Sequence, residues 1–252
     1  MYNGKTVSVV FPAYNEEENI VAAVKDFFQP GVVDEVIVVD NNCRDRTAEL
    51  VRTQTAARLV AEPRQGYGSA LTRGLREASG DYIILAEPDG TFIGRDVHKL
   101  LAYAADFDLV LGTRTSTLLI WSGANMRWHM RWGNILVAKL MEFLFNTSQL
   151  TDCGCTLRLI HRAKLARFID QITVTKSHFL PEMVILARQA GLSIIEIPVN
   201  YRSRIGESKI TGTFKGAYKT GMAMVRLILG KRLRRGSAVR PSAAKRGAAK
   251  SE

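Results

Sequence analysis

Cysteine is scarce in this chain, and long uninterrupted apolar runs are missing from it. The 252 residues include three cysteines, a small and odd number that argues against a disulfide framework and favours a reducing compartment. The longest apolar region, residues 118–145, is interrupted by Arg127, Arg131, Lys139 and Glu142. It therefore fails the requirement of about 18 consecutive apolar residues for a membrane span. Since the N-terminus carries no visible signal peptide, we expect a cytoplasmic protein.

Acidic residues are also few, and the resulting positive charge is unevenly distributed. The chain carries 35 Lys and Arg against 24 Asp and Glu, a formal net charge of +11. Residues 231–252 hold eight basic residues and one acid, so +7 of that total lies there. Such a tail is either a disordered solubilising end or a segment that binds anionic lipid or nucleic acid. We predict one folded domain over residues 1–230, since 46% of the chain is hydrophobic, and a disordered basic tail over 231–252.

Short apolar runs alternate with helical patterns through the first 112 residues. Each run is almost continuously apolar, which is typical of a parallel strand covered on both faces. The clearest helical pattern spans residues 15–28, where Asn15 and Glu18 match a capping box and apolar residues recur at helical spacing. Strands are predicted at residues 6–11, 34–40, 57–62, 81–86 and 107–112.

This alternation predicts an α/β fold with a mostly parallel, Rossmann-like sheet flanked by helices. Ligands of such sheets bind beyond the carboxyl ends of the strands, so the polar residues that follow each run are the candidates for chemistry. The rhythm changes after residue 112. Helices are predicted at 118–145, about 180–190 and 214–233, a loop leading into a strand at 150–160, and a further strand at 193–199.

Two carboxylates, Glu87 and Asp89, flank Pro88 directly after the fourth apolar run. Alternate residues of an extended chain point the same way, so both carboxylates can face one side. Two convergent carboxylates suit Mg²⁺ or Mn²⁺, which fill their other positions with water and phosphate oxygens. A cation held there could neutralise a departing diphosphate. Taken alone, however, the EPDG sequence also fits an ordinary polar turn.

The other strand ends carry further polar and aromatic residues. The first run continues as PAYNEEE, which brings Tyr14 and several carboxylates to the sheet edge and to a helix N-terminus. Asp40 and the following asparagines could hydrogen-bond a nucleobase or a ribose. After the third run, glycines permit close backbone approach and Arg64 can contact phosphate. The fifth run brings Arg114 to the same edge.

Six blocks of the sequence resemble, in the same order, those of the family 2 glycosyltransferases. The likeness is greatest to the dolichol-phosphate mannosyltransferase-like, or polyprenyl-phosphate glycosyltransferase, branch, and it covers roughly residues 5–212. Agreement of six blocks in order makes it specific. The blocks are VSVVFPAYNEEENI, VIVVDNNCRDRTAEL, GYGSALTRGLREASGDYIILAEPDGTF, VLGTR, TDCGCTLRLI and VNYRSRIGESKI.

The resemblance implies a GT-A fold with a nucleotide-sugar-binding half, residues 1–112, and an acceptor-binding half with amphipathic helices, residues 113–230. It also implies a bound divalent cation, Mg²⁺ or Mn²⁺, with Glu87, Asp89 and Thr91 as its candidate ligands. The implied nucleotide-sugar-binding residues are Pro12, Ala13, Tyr14, Asn15, Glu16, Asp40, Asn41, Arg64 and Gly68.

Three positions depart from the family pattern. Glu87 stands where the D-x-D motif has its first aspartate, and Thr91 stands where this branch often has a glutamine. Both departures bear on where the metal sits. Asn41 replaces the usual second acid after Asp40, which leaves the base open between UDP and GDP.

The resemblance further implies an inverting transfer of a sugar from a UDP- or GDP-sugar to polyprenyl phosphate. A lipid phosphate is already anionic, so it needs cations rather than a general base. The implied catalytic residues are Asp89, Arg114 and Asp152, with Asp152 acting either as a base or by orienting an arginine. The implied acceptor-phosphate residues are Arg114, Arg158, Arg202 and Lys209, with Arg204 as a further local candidate.

Two other functions remain open on the sequence alone. The acceptor could be a saccharide or small-molecule hydroxyl, in which case a base such as Asp152 becomes essential. The chain could instead be a non-enzymatic basic module that binds membrane or nucleic acid through its tail, although six ordered motifs argue against this. A zinc site at Cys153 and Cys155 lacks a second ligand pair, and Leu71 breaks the G-x-G-x-x-G pattern.

Two amphipathic stretches raise the question of membrane binding. Tryptophan and arginine are interleaved along residues 118–145, and basic residues close the stretch 214–235. This composition favours helices that lie in the membrane interface, the alternative being helices packed against the sheet. We expect the protein to bind the cytoplasmic membrane face peripherally or through an integral membrane partner.

Overall fold

A seven-stranded sheet forms the centre of the protein. The computed structural model describes residues 1–121, 128–147, 149–204 and 214–238. The strands lie in the order β3-β2-β1-β4-β6-β5-β7. They are β1 (Val7–Ala13), β2 (Glu35–Asp40), β3 (Arg58–Ala61), β4 (Tyr82–Leu85), β5 (Leu109–Thr113), β6 (Arg158–His161) and β7 (Ile194–Pro198).

Helices follow most of the strands and cover the sheet. The five strands predicted in the first 112 residues are all present, with bounds within a few residues of the expected ones. The helices in the described ranges are α1 (Ile20–Phe28), α2 (Thr47–Gln54), α3 (Tyr67–Glu77), α4 (Val97–Tyr103), α5 (Trp128–Phe145), α6 (Arg162–Leu165), α7 (Phe179–Gln189) and α8 (Phe214–Ala238).

The sheet is mostly parallel, as predicted, with β6 as the exception. Strands β3, β2, β1 and β4 pair in parallel, whereas β6 runs antiparallel to both β4 and β5. Strand β5 consequently runs in the same direction as β4, and β7 pairs with it in parallel. The chain segments that leave β1, β2, β4 and β5 therefore all emerge at one edge of the sheet.

Both faces of the sheet are buried, which explains the continuous apolar runs. Val10 and Leu85 belong to a cluster with α3, α5, α7 and α8 on one face. Val9 and Ile84 belong to a cluster with α1 and α4 on the other. Neighbouring residues of each strand thus pack against opposite helical layers, and the central strands have no polar face.

Helix α1 begins at Ile20, so the predicted start at residue 15 and the capping box are wrong. Asn15 has a φ of 55° and lies outside the helix. Its Oδ1 accepts a hydrogen bond from the Arg44 backbone N–H at 2.7 Å, and the Glu16 backbone N–H donates to the Thr47 hydroxyl oxygen at 2.8 Å. The segment before α1 is therefore held by the loop that follows β2. These contacts join residues distant in sequence, so spacing within the segment does not reveal them.

Helix α8 extends to Ala238, so the first eight residues of the predicted disordered tail are helical. Lys231, its predicted first residue, forms a 2.8 Å ion pair with the fully buried carboxylate of Glu182 on α7. Helix α8 also packs its Met224 and Ile228 into the same hydrophobic cluster as α5 and α7. Residues 239–252 of the predicted tail lie outside the described residues.

Gly74 provides a test of the packing between α3 and the sheet. A methyl group at this position would overlap Val10 Cγ1 of β1 and lie 3.1 Å from Val39 Cγ2 of β2. We predict that Gly74→Ala lowers the free energy of unfolding by about 1–3 kcal/mol, the usual cost of overpacking. Gly230→Ala is the matched control, because that helical glycine has nothing within 4 Å of its added methyl group. The control should be neutral or stabilising; equal effects in urea denaturation would contradict the close packing.

Candidate functional site

Asp89 follows β4 and lies at the edge of the sheet where β1, β2, β4 and β5 end. Its carboxylate is 1% exposed, and its Oδ1 accepts hydrogen bonds from the Thr91 backbone N–H at 3.0 Å and the Thr91 hydroxyl at 2.5 Å. Its Oδ2 is buried and accepts no hydrogen bond from the part of the chain that the structure describes, although Arg204 Nη1 lies 3.3 Å away. Burial and the neighbouring Glu87 raise the pKa of Asp89 to about 7.

Glu87 is held by two hydroxyl groups. Its Oε1 accepts hydrogen bonds from the Tyr67 hydroxyl at 2.8 Å and the Thr156 hydroxyl at 2.7 Å. Burial acts to raise the pKa of Glu87, but the bonds from Thr156 and Tyr67, together with Arg204 and Asp89, lower it overall. The two carboxyl groups therefore interact closely, with opposite pKa shifts, and Glu87 is the one that keeps its negative charge.

This pair of carboxylates fits a divalent cation. Asp89 Oδ2 is a buried oxygen that accepts no hydrogen bond from the described residues, and a cation beside it would offset the repulsion from Glu87. No group of three His, Cys, Asp or Glu side chains with metal-site geometry occurs within the described ranges. Protein carboxylates would thus supply a minority of the ligands, as is usual for Mg²⁺. Thr91, a predicted ligand, instead directs its hydroxyl to Asp89.

The residues that follow β1 lie beside the carboxylates. Pro12 and Ala13 are buried within the strand, whereas the ring of Tyr14 is 37% exposed. Glu16 Oε1 lies 3.7 Å from Arg204 Nη2. Because the other end of the same guanidinium reaches Asp89, Arg204 spans the gap between the ends of β1 and β4.

The predicted nucleotide contacts after β2 and β3 have mixed outcomes. Asp40 lies at the edge, with Oδ1 accepting from the Cys43 backbone N–H at 2.8 Å. Asn41 is buried, and its amide donates to the carbonyls of Glu62 and Arg64 at 2.8 and 2.9 Å. Its Oδ1 accepts from the Gly66 N–H at 2.7 Å. Asn41 thus fixes the loop before α3. These hydrogen bonds use the side-chain atoms of Asn41 that were expected to contact a nucleobase.

The close backbone approach at Gly68 also differs from the prediction. A Cβ there would lie 2.5–2.9 Å from the backbone of residues 174–176, and the Gly68 N–H donates to the Thr175 carbonyl at 2.9 Å. The absent side chain therefore makes room for the protein's own loop. Arg64 is exposed beside this turn.

Arg114 and Asp152 form a bidentate ion pair after β5. Arg114 Nε and Nη2 donate to the two carboxylate oxygens at 2.8 and 3.0 Å, and the guanidinium lies 5.2 Å from the centre of the Tyr201 ring. Burial acts to raise the pKa of Asp152, but Arg114 lowers it overall. The Asp152 backbone N–H donates to Glu196 at 2.9 Å. Of the two roles expected for Asp152, this geometry serves the orientation of an arginine.

Arg202 stands at the same edge, next along the chain from Tyr201. Its guanidinium lies 4.7 Å from the centre of the Trp121 ring, and its backbone N–H donates to the Thr91 carbonyl at 2.9 Å. Its Nε is buried without a hydrogen-bond partner in the described part of the chain. The segment after β7 therefore carries a partly unsatisfied guanidinium close to the Asp89 turn.

One of the predicted phosphate-binding residues, Arg158, lies away from this edge. Arg158 is 1% exposed and donates to the backbone carbonyls of Leu180 and Cys155, so its assignment to an acceptor phosphate is wrong: the side chain points into the core. Lys209 lies outside the described residues. Cys155, near Arg158, is buried, and burial raises the pKa of its thiol to about 12.

Sequence reasoning missed several side chains of the site. Tyr67 lies inside the GYG block and Thr156 inside TDCGCTLRLI, yet no spacing rule relates either residue to Glu87. Tyr201, Trp121 and Glu196 support the two arginines from separate parts of the chain. Only the sheet topology brings these residues together, so the sequence offers no signal for them.

The sequence matches a known family of enzymes. Residues 8–168 match the model of glycosyl transferase family 2, and the chain is a member of that family. The resemblance expected from the six motifs is therefore confirmed, and the protein is a glycosyltransferase.

Individual relatives are similar over almost their whole length. An uncharacterized glycosyltransferase of Mycobacterium tuberculosis is 31% identical over 85% of this chain and 94% of its own. A dolichyl-phosphate hexose transferase of Haloferax volcanii is 30% identical over 92% of this chain and 98% of its own.

Solved structures confirm the GT-A fold. Glucosyl-3-phosphoglycerate synthase from Mycobacterium tuberculosis, crystallised with Mn²⁺, UDP and glucosyl-3-phosphoglycerate, superimposes with a TM-score of 0.68. It is 21% identical, and the match covers 91% of this chain and 80% of that one. In the described part of the present chain, no helix combines the length and apolar character that crossing a bilayer requires.

The unusual ionisation of Asp89 gives a stability test. Its folded-state pKa lies above the unfolded value, so its contribution to stability is lost as the pH rises from about 4 through 7. In EDTA, we predict that Asp89→Asn raises the melting temperature at pH 8 by roughly 4 °C and raises it clearly less at pH 5, where only the first part of this pH window has been crossed. Asp106→Asn, at an exposed aspartate, should change little at either pH. A lower melting temperature for Asp89→Asn at pH 8 would contradict this account.

Proposed function

We propose that the protein is an inverting, metal-dependent enzyme that transfers a sugar from a UDP- or GDP-sugar to polyprenyl phosphate at the cytoplasmic membrane face. The observation that carries the proposal is the pair of arginines at the sheet edge. Arg114 is fixed by Asp152 and Tyr201, and Arg202 has a buried Nε without a partner in the described residues. An acceptor phosphate would supply the missing acceptor oxygen.

The donor would lie between the ends of β1, β2 and β4. Glu16 and Asp40 would contact the nucleoside, and the carboxylates of Glu87 and Asp89 would hold a divalent cation. That cation would supply positive charge to the diphosphate. The structural neighbour that binds Mn²⁺ with UDP supports the fold's ability to hold such a pair, while Mg²⁺ is an equal candidate here.

In the proposed step, an oxygen of the acceptor phosphate attacks the anomeric carbon of the donor sugar. The bond from that carbon to the β-phosphate oxygen breaks, its electron pair leaves with the nucleoside diphosphate, and the configuration inverts. Arg114 and Arg202 would hold the attacking phosphate, since guanidinium groups bind phosphate in a fixed geometry. An ionised phosphate loses no proton in this step, so no general base is required.

The alternative acceptor, a saccharide or small-molecule hydroxyl, fits the site less well. A hydroxyl acceptor would need a base within hydrogen-bond reach. Asp152 was the candidate, but both of its oxygens accept hydrogen bonds from Arg114, and its pKa is lowered. The Haloferax relative named as a dolichyl-phosphate hexose transferase adds support for the lipid phosphate.

An exposed apolar surface supports contact with a membrane. On α5, Trp132, Leu136 and Phe143 are 64%, 73% and 85% exposed, and their spacing places them on one helix face. On α8, Leu229 and Leu233 are 44% and 74% exposed. The two helices pack on each other through buried residues. Interfacial binding would cover this surface; an integral membrane partner is the other occupant consistent with it.

Transfer of radiolabel into organic-extractable lipid tests the donor, acceptor and metal together. With UDP- and GDP-sugars, Mg²⁺ or Mn²⁺ and polyprenyl phosphate, we predict label in the lipid phase that EDTA abolishes. Asp89→Ala should reduce transfer at least about 100-fold, because the cation would lose its buried ligand. Asp106→Ala, at an exposed position, is the control. Label found only in aqueous products would move the acceptor to a hydroxyl.

Asp152→Asn separates an orienting residue from a base. An amide cannot neutralise Arg114 or accept its two N–H groups in the same way. We predict that the KM for polyprenyl phosphate rises by about 10-fold or more, with a smaller change in kcat. A collapse of kcat at unchanged KM would instead identify Asp152 as a general base.

A further inference from the structure

Tyr67, Glu87 and Thr156 form a compact triangle of oxygens beside the Asp89 carboxylate. The three contacts are 2.8 Å between Tyr67 and Glu87, 2.7 Å between Thr156 and Glu87, and 2.6 Å between the two hydroxyls. Both hydroxyls reach the same carboxylate oxygen, Oε1. Neither hydroxyl donates to the other oxygen, Oε2, so Oε2 is the oxygen of Glu87 that could bind a cation.

The three residues come from separate parts of the fold. Tyr67 begins α3, Glu87 follows β4, and Thr156 precedes β6. Each support is itself rigid. Thr156 is 1% exposed, and the glycines on either side of Tyr67 are fixed by hydrogen bonds to Asn41 and Thr175. The hydroxyl groups of Tyr67 and Thr156 thus form a clamp that holds the Glu87 side chain, with its three rotatable bonds, in one orientation.

Glutamate at position 87 makes this clamp necessary. Its side chain is one methylene longer than an aspartate, so without external contacts its carboxylate would sample several positions. A cation site needs its oxygens at fixed positions, and the groups that hydrogen-bond the ligands set their orientation. Two hydroxyl donors to one oxygen do this without cancelling the negative charge.

We propose that Tyr67 and Thr156 are positioning residues that hold Glu87 so that its second oxygen binds the divalent cation together with Asp89. The proposal rests on the metal dependence in the proposed function. It assigns a role to two side chains that are not themselves expected to touch the cation. Removal of either hydroxyl should weaken metal binding, and it should do so only by disturbing the position of Glu87.

Direct Mn²⁺ binding tests this without relying on turnover. The free Mn²⁺ signal in electron paramagnetic resonance is titrated with protein at saturating UDP and, in parallel, GDP. We predict that Tyr67→Phe and Thr156→Val each raise the Kd for Mn²⁺ by about 10-fold, within the range found for groups that support metal ligands. Thr156→Ser, which keeps the hydroxyl, should restore the wild-type Kd.

Matched variants control for the loss of a hydroxyl elsewhere. Tyr82→Phe removes a tyrosine hydroxyl at the opposite end of β4, and Thr72→Val removes one from α3 that donates to the Gly68 carbonyl. Neither should change the Kd for Mn²⁺. In a Glu87→Gln background, Tyr67→Phe should alter the Kd less than about 2-fold, since the residue through which it acts has been changed.

The outcomes separate this inference from the proposed function. If wild type and Asp89→Ala both fail to bind Mn²⁺ with either nucleotide, the metal dependence itself is wrong. If wild type binds and Asp89→Ala does not, but Tyr67→Phe and Thr156→Val bind as wild type, the positioning role is wrong and the hydroxyls are structural. A Tyr67→Phe effect of the same size in the Glu87→Gln background would also overturn it.

Discussion

Repulsion between two neighbouring carboxylates, Glu87 and Asp89, is the constraint on which this site depends. Folding places both at the end of β4, where little water reaches Asp89, and like charges at short range in such a medium are costly. Neighbouring groups reduce this repulsion without removing it. Thr91 holds one oxygen of Asp89, two hydroxyls hold one oxygen of Glu87, and Arg204 lies nearby without a well-formed hydrogen bond to Asp89. In the proposed function, a divalent cation beside Asp89 Oδ2 would offset the repulsion that remains.

On the arginine side of the edge, opposite charges are paired, in contrast to the two neighbouring carboxylates. Arg114 is matched by Asp152 in full, with two short hydrogen bonds and an aromatic ring beneath, so its position is fixed before any ligand arrives. Arg202 is held by Trp121, and its Nε has no hydrogen-bond partner among the described residues. Arg114 is thus paired with a carboxylate, whereas the part of the chain that the structure describes supplies no counter-ion to Arg202. An acceptor phosphate bound as we propose would meet a guanidinium already fixed by Asp152, which limits the reorganisation needed for binding.

Sequence patterns predicted those parts of the fold in which burial alone decides the structure. Strands covered on both faces read as apolar runs, so β1 to β5 were located closely, and the carboxyl edge could be predicted from them. The errors share one physical origin, which is contact with residues distant in the chain. Asn15 is bound by the β2 loop, Asn41 supports the loop before α3, and Arg158 turns inward to reach carbonyls of other segments. None of these partners is visible in local spacing.

The buried carboxylate of Glu182 connects several segments of the fold. Its oxygens accept hydrogen bonds from Thr173 and Val174 as well as the ion pair from Lys231 of α8. The adjoining Thr175 carbonyl receives the first N–H groups of α3. A chain shortened before Lys231 would leave this carboxylate inside the protein without its cation. Lys231 therefore belongs to the folded part of the chain, and we expect truncation before this residue to destabilise the core by removing the partner of a buried charge.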